Sequence, residues 1–188
     1  MSSQQRALPQ LDMTFDRFHR LPQVTLRDGY RLATLQERST EDWIQALNAT
    51  GQLGEWNRDS ATRWLQGERH AIPAGTWFII FEDRPIATAC AIAPTPGEPR
   101  PEFGWVSVSP EHQGRGLGYQ VSLAALLFIK GLGYRETFLH TDDVRLAAIK
   151  TYLKLGFRPH LTHASHERRW AAVHARLQPA TEDRDECQ

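Results

Sequence analysis

The sequence predicts an α/β fold, or α+β by a stricter label, built around one mixed β-sheet. Three observations lead to this class. The first half of the chain combines helix-length segments with closely spaced β-prone runs, which suits antiparallel strands. The second half alternates strand, helix, strand and helix, and such a strand–helix–strand unit is parallel and right-handed. The length of 188 residues fits a single domain with a sizeable core.

Composition narrows the class of protein further. The 22 basic and 22 acidic side chains cancel, which argues against a protein that binds nucleic acid by neutralising phosphates. No stretch reaches the roughly 18 apolar residues that a membrane span needs, and residues 1–10 lack the apolar centre of a secretory signal. Two cysteines cannot form a disulfide framework. We therefore expect a soluble, cytoplasmic protein without a nucleic-acid or membrane partner.

Polar ends without hydrophobic periodicity flank the predicted domain. Residues 1–20 are predicted to be a flexible N-terminal tail, and residues 21–178 a single domain. Residues 179–188 are acidic and are predicted to be a disordered C-terminal tail.

The first half is predicted to open with one strand and two helices. The strand covers residues 24–35 and is broken by the turn dipeptide Asp28-Gly29. The helices cover about residues 39–50 and 59–70, each preceded by residues that favour a helix start. The candidate N-caps are Ser39 or Thr40 for the first helix and Asp59 or Ser60 for the second.

Three β-prone runs follow these helices. Residues 76–81 and 85–93 form a predicted hairpin, and residues 102–108 form a further strand. Four prolines within residues 94–101 cannot lie inside a sheet, so this segment is predicted to be the loop between the last two strands.

The remaining elements alternate between helix and strand. Residues 118–130 are apolar on most faces and are predicted to form a buried helix. A short strand at 136–140, a helix at 141–155, an extended segment from 157 and a last helix at 165–177 complete the chain.

A glycine-rich turn joins the strand at residues 102–108 to the buried helix. Gly114, Gly116 and Gly118 remove side chains where backbone N–H groups meet a helix N-terminus, and Arg115 adds a cation. Such amides bind phosphate oxygens, although the same turn also suits close packing of the helix on the strand. The spacing fits neither the dinucleotide fingerprint nor a Walker loop, so it favours a pyrophosphate ligand without nucleotide hydrolysis.

Two motifs in this region resemble the signatures of the GCN5-related N-acetyltransferases (GNAT). The run Gln113-Gly114-Arg115-Gly116-Leu117-Gly118 resembles the acetyl-CoA motif Q/R-x-x-G-x-G/A, and AIKTYLKLGF at residues 148–157 resembles A-I-x-x-Y-x-x-x-G-F. The motifs occur in the family's order and at its usual separation. Close matching covers about residues 102–159, and the coarse order of elements matches over residues 24–177.

The resemblance implies the GNAT fold, a mixed and mostly antiparallel sheet whose two central parallel strands splay apart. It implies acetyl-CoA as cosubstrate, with pantetheine in the split and pyrophosphate on the glycine turn. The family often carries Asn three residues before the Ala-Ile pair; Arg145 stands there instead, facing either the phosphates or solvent. The residues implied in cofactor binding are Val106, Ser107, Val108, Gln113, Gly114, Arg115, Gly116, Leu117, Gly118, Tyr119 and Arg145.

Acetyl transfer to an amine requires a deprotonated amine and a proton for the leaving thiolate. Tyr152 stands where the family places its proton donor, the alternative being a buried aromatic with a structural role. Glu102 stands where some members carry a general base, the alternatives being a carboxylate that binds the acceptor's charge or one that is merely at the surface. Gly104 in the same strand is expected to mark a bulge or a close approach.

The acceptor side is less strongly patterned. In this family the loop after the first helix often covers the acceptor, so Glu55 and Trp56 are candidates, and a core position is the alternative for Trp56. His160, His163 and His166 occur at three-residue spacing, but no Cys or carboxylate completes a metal set, so no metal is predicted. These histidines are expected to be solvated, to cap a helix or to contact the acceptor.

The sequence therefore predicts an acyl-CoA-dependent N-acyltransferase that moves an acetyl group from acetyl-CoA to a primary amine of a small molecule or peptide. Direct transfer in a ternary complex is expected, because no Cys lies near the signatures to carry an acyl intermediate. The alternative is a catalytically weak acyl-CoA-binding sensor. Homodimer formation is left open.

Overall fold

The computed structural model describes residues 8–178 and places them in one sheet with helices on both faces. The strands are β1 Leu11–Phe15, β2 Tyr30–Thr34, β3 Ala71–Phe81, β4 Arg84–Ile92, β5 Glu102–Val108, β6 Thr137–Thr141 and β7 Arg158–His160. The helices are α1 Thr40–Asn48, α2 Arg58–Gln66, α3 Leu117–Gly131, α4 Leu146–Leu155 and α5 His166–Leu177. The order in the seven-stranded sheet is β2-β3-β4-β5-β6-β1-β7, with every pair antiparallel except β5–β6. The predicted fold class is confirmed.

The N-terminal boundary of the domain was predicted wrongly. Residues 11–15, assigned to a flexible tail, form β1 between β6 and β7, where Leu11, Met13 and Phe15 are fully buried. The strand is only five residues long and follows a polar segment, so its alternation of apolar and polar residues is a weak sign of a strand. Pairing with both β6 and β7 stabilises it in the fold. Residues 1–7 and the predicted C-terminal tail at 179–188 lie outside the described residues.

Phe15 should therefore be essential to stability. Its ring is fully buried and packs 4.9 Å from the ring of Phe18 and 5.1 Å from that of Phe157, centroid to centroid. We expect Phe15→Ala to lower the free energy of unfolding by about 3–5 kcal/mol, because it removes buried surface and leaves a cavity. Thr14→Ala, on the opposite face of the same strand, should cost much less in the same urea titration. Equal small effects would contradict the placement of β1.

The first half differs from expectation in two further details. Residues 24–26 form no strand, because the Thr25 amide donates to the Gln120 side chain (2.9 Å) instead of to a neighbouring strand. Ser39 caps α1 as predicted, whereas α2 is capped by Asn57, whose side chain accepts from the Ser60 amide at 2.9 Å.

Two hydrophobic clusters hold the sheet. One lies under α3, α4 and α5 and includes Phe103, Leu123 and Trp170; the other lies under α1 and α2 and includes Trp43 and Phe78. Among the described residues, the second cluster contains none from β6, β1 or β7. On the side opposite α3–α5, the face of these three strands is therefore not covered by the cluster under α1 and α2.

The central parallel strands separate almost at once. β5 and β6 are paired only at Glu102 and Phe138, and β5 also has an irregular register with β4, where Trp105 adopts a left-handed conformation with φ +52°. The bulge predicted near Gly104 thus lies one residue later. Trp105 is held there by the rings of Trp56 and Trp64, 4.7 and 4.8 Å away, whose packing offsets the backbone strain of about 1–3 kcal/mol.

Candidate active site

The glycine turn has the backbone geometry of an anion site. Gly114 and Gly116 both have positive φ, +74° and +79°, and Gly116 is the N-cap of α3. The Gln120 amide donates to the Gly116 carbonyl at 3.2 Å, so the preceding amides lie before the intrahelical ladder and can meet a ligand. A Cβ on Gly118 would lie 3.4 Å from Val108 Cγ2, which shows how closely α3 approaches β5.

Two polar side chains of this turn form hydrogen bonds with other parts of the protein. Arg115 donates to the Tyr30 hydroxyl at 2.9 Å and to the Glu111 carbonyl at 3.1 Å. Gln113 donates to the Val108 carbonyl at 3.0 Å. Tyr30, which sequence reasoning placed only in a strand, therefore positions the cation of the turn.

Other residues predicted to bind the cofactor differ in how far their side chains are exposed. The side chains of Ser107 and Leu117 are buried, so at these positions only main-chain groups can contact a ligand. Tyr119 is half-buried, with the Lys154 ammonium 5.2 Å from its ring centroid.

A cleft of about 420 Å³ opens where β5 and β6 separate. It brings together four of the predicted site residues, Glu102, Val106, Arg145 and Tyr152. The glycine turn does not line this cleft, so the structure provides two separate features joined by β5: a turn with the backbone geometry of an anion site, and a polar cleft. Further lining residues include Gln52, Trp64, Arg69, Gly104, His140 and Ala148.

Tyr152 is buried against the rings of Phe103 and Phe157, with centroids 5.9 and 6.0 Å away. Burial raises the pKa of its hydroxyl well above the usual value, and the Arg145 guanidinium opposes this only in part. The phenol therefore keeps its proton at neutral pH, as a proton donor must.

Glu102 lines the cleft and is only 7% exposed. Arg69 donates to its Oε2 through both Nε, at 2.8 Å, and Nη2, and the guanidinium also lies 5.3 Å from the ring centroid of Trp64. One carboxylate oxygen is thus occupied, whereas Oε1 lies on the side of Gly104. Sequence reasoning missed Arg69, which no motif marks.

Arg145 lies at the cleft and not on the glycine turn. It is the N-cap of α4, forms an ion pair with Asp142 at 2.8 Å and donates to the Gln52 carbonyl at 3.0 Å. The guanidinium ties α4 to the loop after α1.

The loop after α1 lines the cleft, but with residues other than Glu55 and Trp56. Gln52, Leu53 and Gly54 line it. Trp56 is buried in the aromatic cluster behind the wall, where its ring nitrogen donates to the Leu53 carbonyl at 2.9 Å. Glu55 is exposed and does not line the cleft. Neither predicted residue therefore lines the cleft, and Trp56 takes the core position that was the stated alternative.

The three C-terminal histidines are dispersed. His160 ends β7, His163 lies in the turn before α5, and the buried His166 is the first residue of α5. The ring centroids of His163 and His166 are 5.8 Å apart. Within residues 8–178, no group of three or more His, Cys, Asp or Glu residues is placed to hold a metal ion. No helix in the same range is long and apolar enough to cross a membrane.

A second cavity, of about 320 Å³, adjoins the cleft on the uncovered face of β6, β1 and β7. Arg69, Glu102 and His140 line both spaces and so form the wall between them. We call this second space the outer cavity. Tyr152 and Val106 do not line it.

Comparison with known proteins agrees with this architecture. The profile of the Acetyltransferase (GNAT) family matches residues 33–157. The chain is 30% identical over 159 residues to a mycothiol acetyltransferase of Amycolatopsis mediterranei, covering 78% of this chain and 52% of that protein. A mycothiol acetyltransferase of Thermobispora bispora is 32% identical over 149 residues, covering 73% and 49%. The chain thus spans about half the length of these curated relatives.

Solved structures show the same fold. A GNAT-family protein described as a putative acetyltransferase, from Novosphingobium aromaticivorans, has a TM-score of 0.55 at 21% identity, covering 81% of this chain and 60% of that one. A GCN5-related N-acetyltransferase from Sphaerobacter thermophilus has a TM-score of 0.57 at 19% identity, covering 81% and 50%. Together with the splayed strands, the glycine turn and the match over residues 33–157, these findings show that the chain belongs to the GNAT family of N-acetyltransferases.

Proposed function

We propose that this chain transfers an acetyl group from acetyl-CoA to a primary amine within a ternary complex. The observation that carries the proposal is the path of β5, which runs from the buried carboxylate of Glu102 in the cleft to Val108. A short 3-10 helix at Pro110–His112 then leads into the glycine turn. A pyrophosphate on the turn amides would leave the thioester end of the cofactor to run back along β5 toward Tyr152.

The main chain of β5 supports this path. Because the strand leaves β6 after Glu102, its edge beyond that point has no strand partner on that side among residues 8–178. Pantetheine amides can pair with such an edge as an added strand. Val106, next to the bulge, would then present main-chain groups to the acetyl carbonyl.

Direct transfer is consistent with the burial of Cys90, the one cysteine among the residues that the structure describes. Cys90 is fully buried, its thiol lies 3.6 Å from the Gly104 carbonyl, and burial raises its pKa well above the usual value. A buried thiol held protonated is a poor nucleophile. The amine itself is therefore expected to attack the thioester.

Binding and transfer can be tested separately. Acetyl-CoA should raise the melting temperature through binding linkage, and NAD and ATP should do so far less. A panel of primary amines, followed by thiol release, should then identify an acceptor. Binding of acetyl-CoA without transfer to any amine would contradict the proposal and favour the acyl-CoA sensor.

Glu102 is proposed to bind the acceptor's ammonium group through its free oxygen. We expect Glu102→Gln to raise the acceptor KM roughly tenfold with kcat nearly intact, because a charge-assisted contact is lost equally from ground and transition states. Glu41→Gln is a matched control, since Glu41 also pairs with an arginine, Arg58, but on an exposed face of α1. A loss of kcat at neutral pH that recovers at high pH would instead make Glu102 the base.

A further inference from the structure

His140 occupies a distinctive position on β6. The last paired position of the parallel strands joins Phe138 to Glu102, and His140 is the next residue on the same face of β6. It lies where the strands have already separated, at the level of Gly104, and both residues line the cleft. A Cβ on Gly104 would lie 3.8 Å from Glu102 Oε1, so the glycine leaves room beside that carboxylate.

The neighbouring strand fixes the imidazole. Asp12 on β1 is the direct cross-strand partner of His140, and its Oδ1 lies 2.6 Å from His140 Nδ1. An ionised carboxylate can only accept, so Nδ1 carries the proton and Nε2 of the neutral ring carries the lone pair. Thr162 donates its hydroxyl to the other oxygen of Asp12. The carboxylate is therefore held from both sides and orients the ring.

The two candidate bases in the cleft differ in what they already bind. Glu102 is engaged by the Arg69 guanidinium. Within residues 8–178, the imidazole of His140 has a hydrogen bond only at Nδ1, which leaves Nε2 available to a substrate proton. The His140 side chain is about one-third exposed and that of Asp12 less so. The carboxylate is thus shielded from solvent, whereas the imidazole is accessible to a substrate.

We propose that His140 is the general base of the acetyl transfer and that Asp12 is its positioning residue. The inference rests on the proposed function. Nε2 removes one proton from the acceptor ammonium, and the neutral amine nitrogen forms a bond to the thioester carbonyl carbon. As the C–S bond breaks, the sulfur takes the Tyr152 proton and the nitrogen loses its second proton, which restores the phenol. His140 then releases its proton to solvent, so amide, free CoA thiol and one proton result.

Titratable and charged groups face this imidazole from several of the elements around it. Glu102 and Arg69 face it across the wall of the cleft, and Arg145 lines the cleft from α4. His160 on β7 is the partner of Asp12 on its other side. From the loop before β5, Glu98 and Arg100 face it across the outer cavity.

The experiment compares three variants with an acceptor found in the amine panel. His140→Gln keeps a polar side chain without basicity and should lower kcat/KM roughly 10²-fold near pH 7. The deficit should shrink at high pH, where the amine deprotonates itself. Asp12→Asn should cause a smaller loss and displace the rising limb of the pH profile, which a purely structural role would not do. His174→Gln, a matched control at an exposed histidine of α5 that lines neither the cleft nor the outer cavity, should leave kcat/KM and its pH profile unchanged.

The acetyl-CoA thermal shift of each variant separates folding from chemistry and should equal that of the wild type. An unchanged kcat/KM and pH profile in His140→Gln overturns the inference while leaving the proposed function standing. A neutral-pH deficit in Glu102→Gln but not in His140→Gln assigns the base to Glu102. A wild-type chain that binds acetyl-CoA but acetylates no amine overturns both the proposed function and this inference.

Discussion

Tyr152→Phe is expected to lower kcat roughly 10²-fold while acetyl-CoA affinity stays the same. The hydroxyl would protonate the leaving thiolate, whose conjugate acid has a pKa near 8.5 in a simple thiol. Burial against Phe103 and Phe157 keeps the phenol protonated but makes its proton harder to donate. For that reason we expect a loss at the lower end of the range for general acids. Stopped-flow thiol release and a CoA titration measure the two quantities.

The pH dependence sharpens this prediction. Because burial raises the Tyr152 pKa, the wild-type hydroxyl stays protonated through pH 7–9, and the ratio of wild-type to variant kcat should be constant there. Tyr134→Phe serves as the control, since Tyr134 is half-buried after α3 and does not line the cleft. An unchanged kcat in Tyr152→Phe would show that water or another residue protonates the thiolate.

The glycine turn and the helix with Tyr152 were predictable because their signals in the sequence are local. The turn from β5 into α3 and the helix with Tyr152 are each fixed by short runs in which glycine spacing and apolar period agree. The order and type of elements from β2 to α5 followed in the same way. Element ends shifted by a few residues where capping was misassigned, as at Asn57.

The surroundings of the cleft were less predictable because they depend on long-range pairing. Asp12 lies in a strand that forms only between β6 and β7, more than a hundred residues later in the chain. Arg69 reaches Glu102 from the end of α2. A Trp in a loop can line a pocket or pack in the core, and Trp56 packs in the core against three other Trp rings. No spacing in the sequence decides between these outcomes.

The largest effect on cofactor binding is expected from Gly116→Asp, which should abolish the thermal shift given by acetyl-CoA. At a ligand concentration of 100 times Kd, binding adds about 2.7 kcal/mol of stability, or roughly 5–10 °C for a domain of this size. A carboxylate at the N-cap of α3 would repel the pyrophosphate and place a Cβ in its path.

The variant should nevertheless fold, which makes the result specific to binding. A Cβ on Gly116 would meet no atom within 4 Å, Asp tolerates positive φ better than most residues, and an acidic group at a helix N-terminus is favourable. Gly133→Asp is the matched control: its φ is +88°, its Cβ would also meet open space, and it lies just beyond the other end of α3. There the charge opposes the helix dipole, so the unliganded protein should melt slightly lower while the acetyl-CoA shift is retained. Normal acetyl-CoA binding by Gly116→Asp would exclude the glycine turn as the pyrophosphate site.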